Sequence, residues 1–131
     1  MLVVPRTGLA APIVSLDLDP TRPGIQAERS LPGPGEFQVD VVVLGVDSPP
    51  LAGYELELGF APGVLAFSAA SSGGFLDDPF FFDVLPGAAS VRVDSSIRTF
   101  GGGPTGDGVL ASLFFDALAP GASLLELDAV L

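Results

Sequence analysis

Hydrophobic and polar residues alternate along most of the chain from Ile13 onward. In the segment 36–43, Phe and Val residues alternate with Glu, Gln and Asp, and in the segment 54–60 Tyr, Leu and Phe residues alternate with Glu. A period of two is typical of a β-strand that buries one face. The segment 109–117 is more continuously apolar, which predicts a central strand covered on both faces. No segment predicts a helix longer than one or two turns.

Short clusters of Gly, Pro, Asp and Ser separate these apolar runs at regular intervals. They delimit predicted strands over residues 13–18, 25–29, 36–46, 52–60, 63–70, 80–85, 89–97, 109–117 and 124–131. Many short strands at this spacing predict an all-β, single-domain antiparallel β-sandwich over residues 13–131. Residues 1–12 precede the pattern, and we interpret them as an N-terminal arm, a leader or a tag remnant.

Composition restricts the chemistry available to this domain. The 131 residues are 48% hydrophobic, which is enough for one buried core. His, Cys, Trp and Lys are absent, so all five cationic side chains are Arg. This excludes Ser-His-Asp and Cys-His nucleophiles, Lys Schiff bases and metal sites built from His or Cys. The sequence therefore predicts no catalytic residue and no cofactor, and leaves only oxygen-ligated ions such as Ca²⁺ open.

The formal net charge of −11 bears on which kinds of molecule the chain is expected to bind. Nucleic acid and anionic membrane surfaces are disfavoured, because both need a cationic footprint on the protein. No apolar stretch reaches the length of a membrane-spanning helix, so membrane insertion is not expected. The acidic composition suits an extracellular medium, and the high mean hydropathy indicates apolar surface that is buried against another molecule.

Three motifs, taken in order, resemble the bacterial cohesin domain. They are VVVLGV at 41–46 followed after a turn by LAGYELELGF at 51–60, then FAPGVLAF at 60–67, then GDGVLASLFF at 106–115 followed after a turn by 124–131. The resemblance covers about residues 13–131. The sequence departs from the family pattern at Phe60 and Ala61, where the family has Tyr and Asp.

The resemblance implies a jelly-roll β-sandwich, related to carbohydrate-binding modules, from a secreted or cell-surface protein. It implies a non-catalytic module that binds a partner protein, as cohesins bind dockerins. The family's binding face corresponds to the strands predicted over 52–60, 80–85, 89–97 and 109–117. The outward residues that we expect to contact a partner there are Glu55, Glu57, Arg92, Asp94 and Ser112.

Self-assembly by strand addition is a second mode of association. The resemblance implies one more strand after the segment 124–131, and a sandwich without it has unpaired backbone groups along one edge. The apolar arm at Leu2, Val3 and Val4 is a candidate donor strand for a neighbouring copy. Repetition of that head-to-tail contact would build a filament.

Three consecutive aromatic residues, Phe80, Phe81 and Phe82, cannot all face one core, because side chains alternate along a strand. One interpretation is an exposed apolar patch that binds a partner. The other is a loop that caps the end of the sandwich with all its rings buried. Both interpretations stay open at this point.

Polysaccharide binding is the alternative function, by analogy with the related carbohydrate-binding modules. Flat aromatic platforms for sugars are usually Trp or Tyr, and this chain has only Tyr54. Tyr54 shares a strand face with Leu56 and Leu58, so we expect a core side chain with its hydroxyl at the rim.

Carboxylates in or beside turns are the candidate Ca²⁺ ligands. The candidates are Asp17, Asp19, Asp77, Asp78, Asp83 and Asp107. Asp is also common in turns because its side chain hydrogen-bonds the local backbone. The alternative is therefore that each carboxylate only supports its own loop.

Overall fold

β-strands account for all the regular secondary structure of the described chain. The computed structural model describes residues 2–3, 12–98 and 103–131. The strands in those ranges are β1 (Leu2–Val3), β2 (Ile13–Asp17), β3 (Glu28–Arg29), β4 (Gly35–Val46), β5 (Gly53–Gly59), β6 (Leu65–Ser72), β7 (Phe81–Pro86), β8 (Ser90–Ser96), β9 (Gly106–Ala117), β10 (Ser123–Leu124) and β11 (Glu126–Val130). The same ranges contain no helix, and hence none that could cross a membrane.

Two four-stranded sheets form the sandwich, and every strand pair within them is antiparallel. One sheet has the order β2-β4-β9-β6 and the other has the order β11-β5-β8-β7. β9 lies between β4 and β6, which confirms the central strand predicted over 109–117. Only one of its faces is fully covered, because Leu113 and Phe115 are buried while Ser112, Phe114 and Asp116 are half-buried. A small third sheet has the order β10-β1-β3. The all-β antiparallel sandwich predicted from the alternation is thus confirmed.

The core lies between the inner faces of the two large sheets. Alternate Val residues of β4 and alternate Tyr and Leu residues of β5 are buried there. Phe115 of β9 is fully buried at its centre and stacks on Phe37 with ring centroids 6.0 Å apart. Phe60 and Phe67 meet the Phe115 ring edge-on, at 5.3 and 5.7 Å. Each such aromatic pair stabilises the fold by about 1 kcal/mol beyond the area that it buries.

Tyr54 links the two sheets through its hydroxyl. This side chain is 3% exposed, and its hydroxyl donates a hydrogen bond of 2.9 Å to the backbone carbonyl of Leu110. The register shift between Val41 and Val42 leaves Leu110 without a partner on β4, so its carbonyl can accept from Tyr54 and from the Gly73 amide. The expectation of a hydroxyl at the rim is therefore wrong. Burial raises the pKa of Tyr54 to about 12.

Two predicted strands are interrupted in the structure. The strand expected over 25–29 is paired only in β3, because the Gln26 amide donates to Oδ1 of Asp17 at 3.0 Å and holds the preceding residues in a loop. The strand expected over 124–131 is divided into β10 and β11 at Leu125, whose side chain is fully buried.

Candidate functional site

The outer face of the β11-β5-β8-β7 sheet brings together most of the residues that the sequence selected for partner binding. On each of these strands the alternate residues point into the core, and the remaining ones point outward. We call this surface the acidic face, and its outward residues are Glu55, Glu57, Phe81, Asp83, Leu85, Arg92, Asp94, Glu126, Asp128 and Val130.

Cross-strand pairing sets the charges of the acidic face side by side. Glu55 lies opposite Asp94, and Asp94 lies opposite Asp83, so three carboxylates occupy one row across three strands. Arg92 bonds two of them, Glu55 at 3.3 Å and Asp94 at 3.1 Å. The hydrogen bond to Asp94, together with the attraction of both carboxylates, raises the pKa of Arg92. One guanidinium thus organises the centre of an otherwise acidic surface.

An apolar edge borders the acidic face along β7. Phe80 is 66% exposed, Phe81 38% and Leu85 59%, whereas Phe82 turns inward and packs against the core. The rings of Phe80 and Phe81 meet edge-on, with centroids 6.2 Å apart and planes at 78°. The structure therefore has an exposed apolar patch of Phe80, Phe81 and Leu85 and no cap of fully buried rings, and the assignment of Phe82 to a partner-binding patch is wrong.

Sequence reasoning missed four members of the acidic face, namely Leu85, Glu126, Asp128 and Val130. The alternation in the segment 124–131 placed the last three on one side of a strand. Their neighbour could not be read from that alternation, because it gives the face of a residue and leaves the adjacent strand undetermined. In the structure β11 pairs with β5, which sets Asp128 opposite Glu57.

Ser112 is not part of the acidic face, and its assignment to that face from the sequence is wrong. It lies on β9, which pairs with β4 and β6 in the opposite sheet. The Ser112 hydroxyl donates to Oδ1 of Asp40 at 2.7 Å, and the Gln38 amide donates to the same carboxylate oxygen at 2.8 Å. Ser112 therefore belongs to a polar cluster on the other side of the sandwich.

Asp17 and Asp19 organise the loop that follows β2. Asp17 is buried, and its Oδ1 accepts the amides of Asp19 at 3.1 Å and Gln26 at 3.0 Å. Asp19 accepts the amide and the hydroxyl of Thr21 and lies 3.8 Å from the Arg29 guanidinium. The hydrogen bond from the Thr21 hydroxyl is the main cause that lowers the pKa of Asp19.

The remaining candidate Ca²⁺ ligands are dispersed. Asp107 accepts the Gly45 amide at 2.8 Å, and Asp78, at a φ of 46°, pairs with Arg98 at 3.1 Å. Asp77 is exposed, and Asp83 lies on the acidic face. Among the residues that the structure describes, no three carboxylates are grouped so that they could hold one metal ion. The contacts that are present support turns and ion pairs.

The described part of the N-terminal arm is seated in its own chain. Leu2 and Val3 pair in parallel with β10 and antiparallel with β3. The Leu2 side chain is 2% exposed and lines a cavity of about 260 Å³ together with Leu31, Val64 and Leu65. Val4, the third residue of the predicted donor strand, lies outside the described residues.

Known proteins resemble this chain in three-dimensional structure. No protein-family model matches the sequence, and no curated protein matches it. The sixth cohesin of scaffoldin B from Acetivibrio cellulolyticus, solved in complex with a mutant Cel5 dockerin, matches with a TM-score of 0.70 and 17% identity. That match covers 91% of this chain and 82% of the cohesin chain.

Two further solved structures agree with this match. The OlpA cohesin from Clostridium thermocellum, solved in complex with Doc918, matches with a TM-score of 0.63 and 14% identity over 72% of each chain. A non-cellulosomal cohesin from the archaeon Archaeoglobus fulgidus matches with a TM-score of 0.56 and 16% identity, over 73% of this chain and 82% of the other. At these identities the likeness establishes architecture alone, and by architecture the chain is a cohesin-like jelly-roll β-sandwich.

Proposed function

We propose that this chain is a non-catalytic interaction module that docks a partner protein on the acidic face. The observation that carries the proposal is the exposed patch of Phe80, Phe81 and Leu85 beside the ion pairs of Arg92. Protein interfaces commonly combine a few large apolar anchors with a polar rim. Exposed apolar side chains grouped at one edge of a sheet are typical of such a contact.

The solved structures support a protein partner of a particular kind. The cohesins from Acetivibrio cellulolyticus and Clostridium thermocellum described above were both solved in complexes with dockerins. We therefore propose a dockerin-like module as the partner, and a secreted or cell-surface location for the parent protein. The proposal includes no catalytic role, because a chain without His, Cys or Lys lacks the usual nucleophile and base pairs.

Affinity capture with paired variants tests the docking face. The variant Phe81→Ser/Leu85→Ser removes two exposed apolar side chains from the acidic face. The control Ile25→Ser/Leu118→Ser removes two side chains of similar exposure, 41% and 53%, from loops elsewhere. The proposal expects a partner from the native secretome, identified by mass spectrometry, to bind the wild-type chain and the control and to be lost from the face variant. Equal capture by all three chains would contradict it.

Self-assembly by exchange of the arm is a second candidate function. It is favoured by the position of β1, which is only two residues long and yet occupies the centre of the three-stranded sheet. The same pairing formed with a neighbouring copy would link two chains. Size-exclusion chromatography with light scattering on the full chain and on residues 12–131 tests it. A monomeric full chain at all concentrations would remove this candidate.

The exposed aromatic residues fit polysaccharide binding less well than they fit protein binding. The planes of Phe80 and Phe81 cross at 78°, so the two rings do not form one flat platform, and Tyr54 is buried. Pull-down with cellulose, chitin and xylan tests this alternative, and retention that depends on Phe81 would establish it.

A further inference from the structure

We infer that the partner meets the acidic face with a cationic surface, in which Arg or Lys side chains stand beside apolar ones. The inference rests on the proposed docking function and specifies the chemistry of the partner. It follows from the cross-strand charge rows and from their position next to the apolar edge.

The acidic face carries an uncompensated charge. Its outward residues include six carboxylates, and Arg92 is their one cationic neighbour on the face. In the described chain no ion pair involves Asp83, Glu126 or Asp128, whereas Glu57 lies directly opposite Arg92. Three like-charged pairs, Glu55 with Asp94, Asp83 with Asp94 and Glu57 with Asp128, lie directly opposite each other. Such pairs destabilise the free sheet, and cations from a partner would relieve the repulsion.

The opposite sheet also carries carboxylates on its outer face, among them the opposed pair Glu36 and Asp116, but in the ranges that the structure describes it has no exposed apolar edge beside them. On the outer face of β2-β4-β9-β6, Asp40 is hydrogen-bonded by Ser112 and Gln38. The outward residues Val42 and Leu44 of β4 are uncharged. Among the described residues, none of the strongly exposed large apolar side chains lies on β2, β4, β6 or β9, so the combination of carboxylates with exposed apolar groups is local to the acidic face.

The spacing of the outward residues along β7 determines which chemical groups a partner needs at this edge. Phe81, Asp83 and Leu85 are successive outward residues, so a carboxylate stands between two apolar side chains about 7 Å away on either side. A partner guanidinium or ammonium at Asp83, flanked by apolar groups, would satisfy all three side chains. A metal ion is a poorer occupant, because within the described residues no three carboxylates are grouped to bind one.

Titration with synthetic peptides tests the inference directly. One amphipathic peptide alternates Arg with Leu, a second replaces each Arg with Glu, and a third replaces each Leu with Ser. ¹⁵N NMR spectra of the full chain are recorded with each peptide. We expect the Arg–Leu peptide to shift the signals of β7 and β8, and its affinity to fall about tenfold between about 0.05 M and 0.5 M NaCl. No binding of this peptide, or equal binding of the Glu–Leu peptide, would overturn the inference.

Paired charge variants separate this face from the general acidity of the chain. Asp83→Asn/Asp128→Asn removes two carboxylates of the acidic face whose cross-strand neighbours are both carboxylates. Glu36→Gln/Asp116→Asn removes two that lie opposite each other on β4 and β9. The face variant is expected to bind the Arg–Leu peptide about fivefold more weakly, with the control within twofold of wild type, because screened attraction acts at short range. Equal losses in the two variants would attribute the binding to net charge and overturn the inference.

The native partner then distinguishes this inference from the proposed function. A partner whose binding is lost with Phe81→Ser/Leu85→Ser but does not change with salt or with Asp83→Asn/Asp128→Asn would refute the cationic surface and leave the docking face intact. A partner that is indifferent to both face variants would refute the docking face itself. Circular dichroism of each variant confirms that the fold is retained before binding is compared.

Discussion

Leu110, the residue that the register shift leaves without a partner on β4, connects the two sheets through its backbone carbonyl. The carbonyl of Leu110 accepts hydrogen bonds from the Tyr54 hydroxyl and from the Gly73 amide, each at 2.9 Å. In the described chain no buried side-chain nitrogen or oxygen lacks a hydrogen-bond partner. A buried polar group of this kind stabilises the fold only while its partners stay in place.

Tyr54→Phe removes one of the two donors and keeps the ring. We expect the free energy of unfolding to fall by about 1 kcal/mol, the usual net contribution of one buried hydrogen bond. Urea denaturation measures this change. The control Ser72→Ala removes an exposed hydroxyl that bonds Gly73 at 3.3 Å, and it should change stability by less than about 0.5 kcal/mol. Equal effects would show that the Tyr54 bond contributes nothing beyond a surface contact.

Alkaline pH should destabilise the protein through Tyr54. Its pKa is raised by burial from 10.0 to about 12, so the native state favours the protonated phenol more strongly than the unfolded chain does. Stability is therefore complete below pH 10 and falls as the pH rises from 10 toward 12. Tyr54 is the one tyrosine of the chain, so ultraviolet absorbance of tyrosinate follows it alone. A titration midpoint near 10 in the folded protein would contradict this prediction.

At the scale of the strand, the sequence shows the two-residue hydrophobic period and the turns, but it does not show which strands pair with each other. Alternation located most strands to within three residues, since burial of one face imposes a period of two. Alternation also predicted that Phe81 and Phe82 lie on opposite faces of the sheet, as they do. It could not assign Ser112, because membership of a sheet depends on pairing between distant segments.

Gly73 marks a close approach between the end of β6 and β9. A Cβ at this position would stand 2.1 Å from the carbonyl oxygen of Val109, which belongs to the backbone and cannot move aside. Gly73→Ala should therefore destabilise the fold by about 1–3 kcal/mol. Gly33→Ala, where an added Cβ would meet nothing within 4 Å, is the control, and thermal unfolding compares the two. Equal melting temperatures would show that the loop adjusts without strain.

At the scale of the molecule, the exposed large apolar side chains of the two large sheets lie on one sheet, at Phe81, Leu85 and Val130. The net charge of −11 repels itself in the compact state, and the acidic face concentrates part of that repulsion in opposed carboxylates. In the free domain these opposed carboxylates repel each other, and a cationic partner would relieve that repulsion. Sites retained at the expense of stability are typical of function.

Neutralising the acidic face should stabilise the free domain while it weakens binding. We expect Asp83→Asn/Asp128→Asn to raise the free energy of unfolding by about 0.5 kcal/mol, because each substitution removes one like-charged cross-strand neighbour. The gain should shrink as NaCl screens the wild-type repulsion, which urea denaturation at low and high salt will show. A loss of stability at low salt would mean that these carboxylates support the fold.

The most direct test of the docking face is an NMR footprint of the bound partner. ¹⁵N spectra of the chain are compared before and after addition of the protein identified by affinity capture. The account predicts that the largest chemical-shift changes fall in β7 and β8 and extend to β5 and β11. Changes concentrated instead in β2, β4 and β6, with β7 and β8 unaffected, would contradict it.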